Sequence, residues 1–183
     1  MMIGENTGSD ATKNKIPEGS VGVEIGVWRG DTTAKFIKRA KHITAVDPWS
    51  LRGNEDPELF FERYAELVGD TSKESFTDYY NDVHKFVCKR FKDHNITICR
   101  MTSREWFKQN KETYDWVYVD GLHDHDGCLY DLRESWKIIK SGGTLFGDDY
   151  PNKEGVVSAV DQFVKEMGLN LEKFSHNQYL IRK

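Results

Sequence analysis

The chain has 183 residues, 38% hydrophobic and 31% charged, with a formal net charge of -4. That length suits one domain around one core, and the composition is that of an ordinary globule. The acidic balance argues against a nucleic-acid partner, because such binders carry basic patches. No apolar run approaches the roughly 20 residues of a bilayer span, so no membrane role is expected. The polar start lacks the charged and apolar regions of a leader, which points to the cytoplasm. Cys88, Cys99 and Cys128 are odd in number and lack C-x-x-C spacing, so they read as buried free thiols.

Residues 1 to 18 are rich in Gly, Asn, Thr, Ser and Lys and have little to bury, which predicts a mobile arm ahead of a single domain over 19–183. Val21, Val23 and Ile25 alternate as a short strand. Gly26 and Gly30 then permit a tight turn into a helix that starts near Thr32. Glu24 interrupts the apolar strand close to its carboxyl end, where a parallel sheet opens its ligand crevice. This stretch reads as a nucleotide-type cofactor site, with Trp28 and later Trp49 in loops at its mouth.

His42 to Val46 is the second predicted strand, ending at Asp47-Pro48-Trp49. An acid about 20 residues past a glycine turn is placed to accept hydrogen bonds from ribose hydroxyls, which makes Asp47 the candidate ribose ligand. The apolar spacing from 57 to 92 fits two amphipathic helices broken near Gly69-Asp70, a candidate cap over the substrate. Asn95 to Cys99 is a third strand, Arg104 to Asn110 a short helix and Trp116 to Val119 a fourth strand. Asp124 to Lys140 is helical, closed by Ser141-Gly142-Gly143. Asp124 and Asp126 suit capping and the helix dipole. Thr144 to Phe146 is a fifth strand, Gly155 to Met167 a last helix, and Leu169 to Phe174 with Tyr179 to Ile181 a terminal hairpin. The alternation predicts a Rossmann-like, doubly wound, mostly parallel seven-stranded sheet, with an antiparallel C-terminal edge and helices on both faces.

Three predicted strand ends carry acids: Asp47, Asp120 and the pair Asp148-Asp149. Carboxyl ends of neighbouring parallel strands lie close together, so Asp120, Asp148 and Asp149 are expected to converge. Converging carboxylates repel unless a cation or protons compensate. Oxygen ligands of this kind suit Mg²⁺. Tyr150 either borders the acceptor pocket or packs in the turn, whereas Trp106, Trp116 and Trp136 have core-like spacing.

The stretches V-E-I-G-V-W-R-G-D-T-T, A-V-D-P-W, V-Y-V-D-G-L-H, D-L-R-E-S-W and S-G-G-T-L-F-G-D-D-Y resemble the class I S-adenosylmethionine-dependent methyltransferases. Within them the likeness is to the small-molecule O-methyltransferase branch that includes macrolide-sugar enzymes, and more distantly to catechol O-methyltransferase. The resemblance implies that Glu24 and Gly26 line the methionine and ribose part of the cofactor and that Ser103 lies near the adenine. It also implies that Asp120, Asp148 and Asp149 are metal ligands, that Asp120 belongs to the catalytic and cofactor-binding sets as well, and that His123 is the general base. The chain departs from many relatives at His125, where they carry Tyr, and at Asp148, where they carry His.

The implied reaction moves a methyl group from S-adenosylmethionine to a hydroxyl of a small molecule. A sugar or other vicinal diol is favoured, because two adjacent hydroxyls chelate a divalent cation. A metal-independent methyltransferase and a non-catalytic cofactor-binding module are the alternatives. A nicotinamide enzyme would want G-x-G-x-x-G at the first turn, where Val27 and Trp28 stand. A receiver domain would carry its acidic pair after the first strand. Whether the protein is a homo-oligomer is left open.

Overall fold

A computed structural model describes residues 8–50, 73–174 and 176–183. The elements are α1 (Gly8–Lys15), β1 (Val21–Ile25), α2 (Thr33–Phe36), β2 (His42–Asp47), α3 (Lys73–Arg90), β3 (Ile96–Arg100) and α4 (Ser103–Gln109). They continue with β4 (Tyr114–Val119), α5 (His125–Ile138), β5 (Ile139–Gly147), α6 (Glu154–Met167), β6 (Leu171–Phe174) and β7 (Gln178–Arg182). One seven-stranded sheet has the order β3-β2-β1-β4-β5-β7-β6. β1 to β5 pair in parallel, and β7 pairs antiparallel to both β5 and β6. This is the predicted Rossmann-like architecture.

The strands alternate their side chains between two covered faces. On β4, Val117 and Val119 join Leu129, Leu132, Val160 and Phe163 of α5 and α6. Trp116 and Tyr118 face the other way, onto Phe36, Phe146, Leu180 and Ile16. A fully buried side chain of this size contributes on the order of 2–3 kcal/mol, so sheet-to-helix packing dominates the stability. Trp106, Trp116 and Trp136 pack as their spacing predicts: Trp116 is fully buried, Trp106 nearly so, and Trp136 meets Phe163 edge-on at 5.8 Å.

Two expectations meet a different structure, and a third is met in the part that is described. Residues 8–15, within the stretch expected to be a mobile arm, form α1, whose Thr12 is fully buried, as is Ile16 just beyond it. Lys35 of α2 donates to Ser9 and Asp10, and Lys15 pairs with Glu172, so α1 is fixed by partners distant in sequence. Helix α5 does not close on Ser141-Gly142-Gly143 but passes at Ile138 directly into β5. Those glycines serve the sheet: a Cβ on Gly143 would lie 2.6 Å from the Asp115 carbonyl, beside the register irregularity between Tyr114 and Trp116. Of the two helices expected between 57 and 92, α3 matches the second. The first, and the break near Gly69-Asp70, lie outside the described residues.

Candidate active site

The sheet order reverses between β1 and β4: β1 leads to β2 on one side, and the chain returns past β3 to β4 on the other. Ligands in open α/β sheets bind at the carboxyl ends of strands flanking such a switch point. Backbone hydrogen bonds carry the ladder past the strand ends. Gly26 N–H donates to Val46, Asp120 N–H to Ile25 and Asp148 N–H to Val119. These bonds bring Gly26, Asp47, Asp120 and Asp148 to one rim.

Gly26 is where close approach is compulsory. Its φ is +86°, and a Cβ there would lie 1.9 Å from the Asp120 carbonyl oxygen. The glycine therefore seats the first turn against the tip of β4. Beyond it, Asp47 Oδ2 accepts from the backbone N–H groups of both Val27 and Trp28 at 2.9 Å, and Oδ1 accepts from Trp49 N–H at 2.7 Å. The candidate ribose ligand thus also braces the glycine turn, and Oδ1, with one donor, keeps lone-pair capacity.

The two loop tryptophans separate. Trp28, with φ +45°, is 44% exposed, and its indole donates to the Tyr79 hydroxyl of α3. Trp49 is fully buried, and its indole donates to the Trp28 carbonyl. Trp28 stands at the rim, whereas Trp49 supports it from below; the expectation of two mouth residues is corrected to one. Ser103 opens α4, beyond β3 and two strands away from β1, and is half-buried.

Glu24 is 1% exposed and accepts from the Thr33 hydroxyl at 2.6 Å. Burial above all, with Asp120 and Asp47 adding repulsion, pushes its pKa to about 8 against the pull of the Thr33 hydrogen bond. The folded chain therefore holds this proton more tightly than the unfolded chain. On this group's account stability falls as pH rises from 4.5 to about 8 and levels off above that. We expect Glu24→Gln to flatten this part of the pH profile in calorimetric melts and to raise Tm at pH 8. Profiles that run parallel would contradict it.

His123 lies in the loop between β4 and α5. Its Nε2 is 3.1 Å from Asp149 Oδ2 and 3.6 Å from Asp120 Oδ1. Asp120, His123 and Asp149 offer ligand atoms within 4.8 Å of one another. Burial raises the Asp120 pKa to about 6; His123 opposes this, and Asp148 and Asp149 add to it. Asp148 stands outside that cluster. Its Oδ1 accepts from Asp149 N–H at 2.7 Å and its Oδ2 from the Tyr118 hydroxyl at 3.1 Å.

The loop itself is anchored on both sides. Asp124 caps α5 through Gly127 N–H at 2.9 Å, as predicted from the sequence. His125 Nδ1 lies 2.8 Å from Ser158 Oγ of α6, a bridge between helices. Gly155 lets α6 close in, since a Cβ there would lie 2.3 Å from the His123 carbonyl. Tyr150 is buried in the core and donates to Asp161 of α6, so it anchors its turn to that helix. Cys88, Cys99 and Cys128 are free thiols, Cys128 buried and the others half-buried. Thr33, Tyr118, Gly155 and Gln178 were not singled out from the sequence, because their partners lie on other elements.

The family model described as "Methyltransferase domain" matches residues 23–150, more than half of the chain. No curated protein sequence matches it. The fold is similar to that of an O-methyltransferase from Bacillus cereus solved with SAH, at 10% identity and TM-score 0.57, covering 100% of this chain and 84% of that one. It is similar to the O-methyltransferase NovP, at 17% identity and TM-score 0.57, covering 95% and 75%. It is also similar to the M. jannaschii tRNA m1G37 methyltransferase, at 13% identity and TM-score 0.52, covering 95% and 46%. The chain thus spans about half the length of that protein and of Trm5b from Pyrococcus abyssi. With a matching model that begins inside β1 and ends just past the Asp148-Asp149 pair, the chain belongs to this methyltransferase-domain family and is an S-adenosylmethionine-dependent methyltransferase.

Proposed function

We propose that the chain methylates a hydroxyl of a small molecule, best matched by a sugar or other vicinal diol, with a divalent cation such as Mg²⁺ at its acidic rim. The observation that carries this reading is His123 Nε2 lying between Asp149 and Asp120 at the rim beside the first turn. An imidazole held by a carboxylate is suited to accept a hydroxyl proton near neutral pH.

The charge of the cofactor end supports this reading. Glu24, Asp47 and Asp120 crowd negative charge at the rim, and two of the three are pushed toward protonation. A ligand bearing a sulfonium and an ammonium relieves that repulsion. Glu24 and Gly26 would line its methionine and ribose part, Asp47 its ribose hydroxyls and Ser103 its adenine, with Trp28 at the mouth. S-adenosylmethionine supplies the electrophilic methyl group, which the acceptor oxygen displaces in line. The protein's part is to hold that oxygen near the sulfonium and to take its proton on His123.

Asp120 and Asp149 would hold the cation; their hard oxygens suit Mg²⁺. Asp148, the third expected ligand, keeps spare lone pairs beside its two hydrogen bonds. When bound, the cation lowers the hydroxyl pKa and fixes its direction. In the metal-independent reading, His123 Nε2, 3.1 Å from Asp149 Oδ2, works with that carboxylate alone. RNA, the substrate type in the names of several structural neighbours, is disfavoured by the net charge of -4.

The test is label transfer from methyl-labelled S-adenosylmethionine to a panel of sugars, catechols and RNA. We expect an ether at one hydroxyl of a diol, turnover at least about 10-fold lower after chelation, and recovery with Mg²⁺. Undiminished turnover in chelator would remove the cation, and label in RNA would overturn the acceptor class. Tight cofactor binding with no acceptor at all would favour a binding module.

A further inference from the structure

A chain of buried polar groups runs from α1 to the acidic pair. The Thr12 hydroxyl of α1 donates to Gln178 Oε1 of β7 at 2.6 Å, across 166 residues of sequence. The Tyr118 hydroxyl of β4 lies between two acceptors, Gln178 Oε1 at 3.2 Å and Asp148 Oδ2 at 3.1 Å. Thr12, Tyr118 and Gln178 are each fully buried. Burial also keeps the Tyr118 phenol far above its ordinary pKa, so it remains a donor. Burial raises the Asp148 pKa, and the Gln178 amide and the Tyr118 hydroxyl pull against that rise.

The chain continues into the site. Asp148 Oδ1 accepts from the N–H of Asp149, whose φ of +64° is unusual for a residue with a side chain. The Asp149 carboxylate is the one 3.1 Å from His123. Fully buried groups that satisfy one another fix a single arrangement.

We propose that Tyr118 and Gln178, anchored from α1 by Thr12, are positioning residues that hold Asp148 and, through it, the left-handed backbone of Asp149 that faces His123. α1 is then part of the active-site scaffold. Its consequence for cation affinity rests on the cation reading given above; its geometric content does not.

Tyr118→Phe removes the hydroxyl and keeps the ring, including its edge-on contact with Phe36 at 5.0 Å. In a crystal structure of that variant without ligand, the Asp148 carboxylate should turn and Asp149 should leave hydrogen-bond reach of His123. Wild-type positions for both would overturn the proposal. Mn²⁺ titration followed by electron paramagnetic resonance gives the second readout. Affinity should fall about 10-fold in Tyr118→Phe, the scale of a lost outer-shell partner. It should fall less in Thr12→Val and recover in Thr12→Ser, with melting curves showing all three folded. Equal affinity in all of them and the wild type would overturn it. A wild type that binds no Mn²⁺ would defeat the cation reading, and the crystal comparison would then decide the positioning chain by itself.

Discussion

His123→Ala should lower methyl transfer by about 10²- to 10⁴-fold, the usual contribution of a positioned acid or base. Cofactor binding should stay within a few fold. The prediction follows from where the imidazole sits: its Nε2 meets Asp149 and Asp120, whereas the expected cofactor contacts lie at Glu24, Gly26 and Asp47. The side chain is 39% exposed, so truncation leaves no deep cavity and little stability should be lost. The check is kcat beside a calorimetric titration with S-adenosylhomocysteine. An equal loss of kcat and cofactor affinity would place His123 in cofactor binding instead, and wild-type turnover would remove it from the chemistry.

Gly26→Ala should be the most damaging single-methyl change in the first turn. The added Cβ would meet the Asp120 carbonyl at 1.9 Å, at a φ of +86° that L residues rarely adopt. Neither side yields cheaply, because the contact is backbone on backbone and both turns are tied to neighbouring strands. Overpacking of this kind costs about 1–3 kcal/mol, and the left-handed backbone adds about 1 kcal/mol more. Because Asp120 must shift, we also expect cofactor affinity to fall at least about 10-fold, roughly 1.4 kcal/mol. Thermal melts and the same titration measure both effects. Gly19→Ala is a control: its φ is also positive, but nothing lies within 4 Å of the added carbon. It should cost stability alone.

The parts of the fold that were legible are those encoded locally. Val21, Val23 and Ile25 alternate because residues two apart line one face of a strand, here the face that packs with Val117 and Val119, and Asp124 announces a helix start because its side chain bonds the N–H of Gly127 three residues on. Asp47 and Asp120 could be placed at strand tips from strand lengths alone. Long-range contacts were not legible. Nothing in the polar run before Gly19 shows that Thr12 will meet Gln178, so the run reads as an arm although residues 8–15 form a helix. Trp49 looks like a mouth residue until the Trp28 carbonyl is seen to take its indole proton. Asp148 and Asp149 are adjacent in sequence and look equivalent. The positive φ of Asp149 sends one carboxylate to His123 and leaves the other with Tyr118.

The geometry also assigns different tasks to the rim acids. Asp47 braces the glycine turn through the N–H groups of Val27 and Trp28 and its own loop through that of Trp49, Glu24 is buried against Thr33, and Asp120 and Asp149 face the histidine. Crowded carboxylates in a shared low-dielectric region raise one another's pKa, a cost that recurs at functional sites and is relieved by a cationic ligand.

A crystal structure with S-adenosylhomocysteine and Mn²⁺ tests the account most directly. It predicts the ribose hydroxyls at Asp47, the sulfur directed toward the space before His123, and an anomalous Mn²⁺ peak contacting Asp120 and Asp149. A cofactor product lying away from Gly26 and Asp47, or no ion at those carboxylates at saturating Mn²⁺, would contradict it.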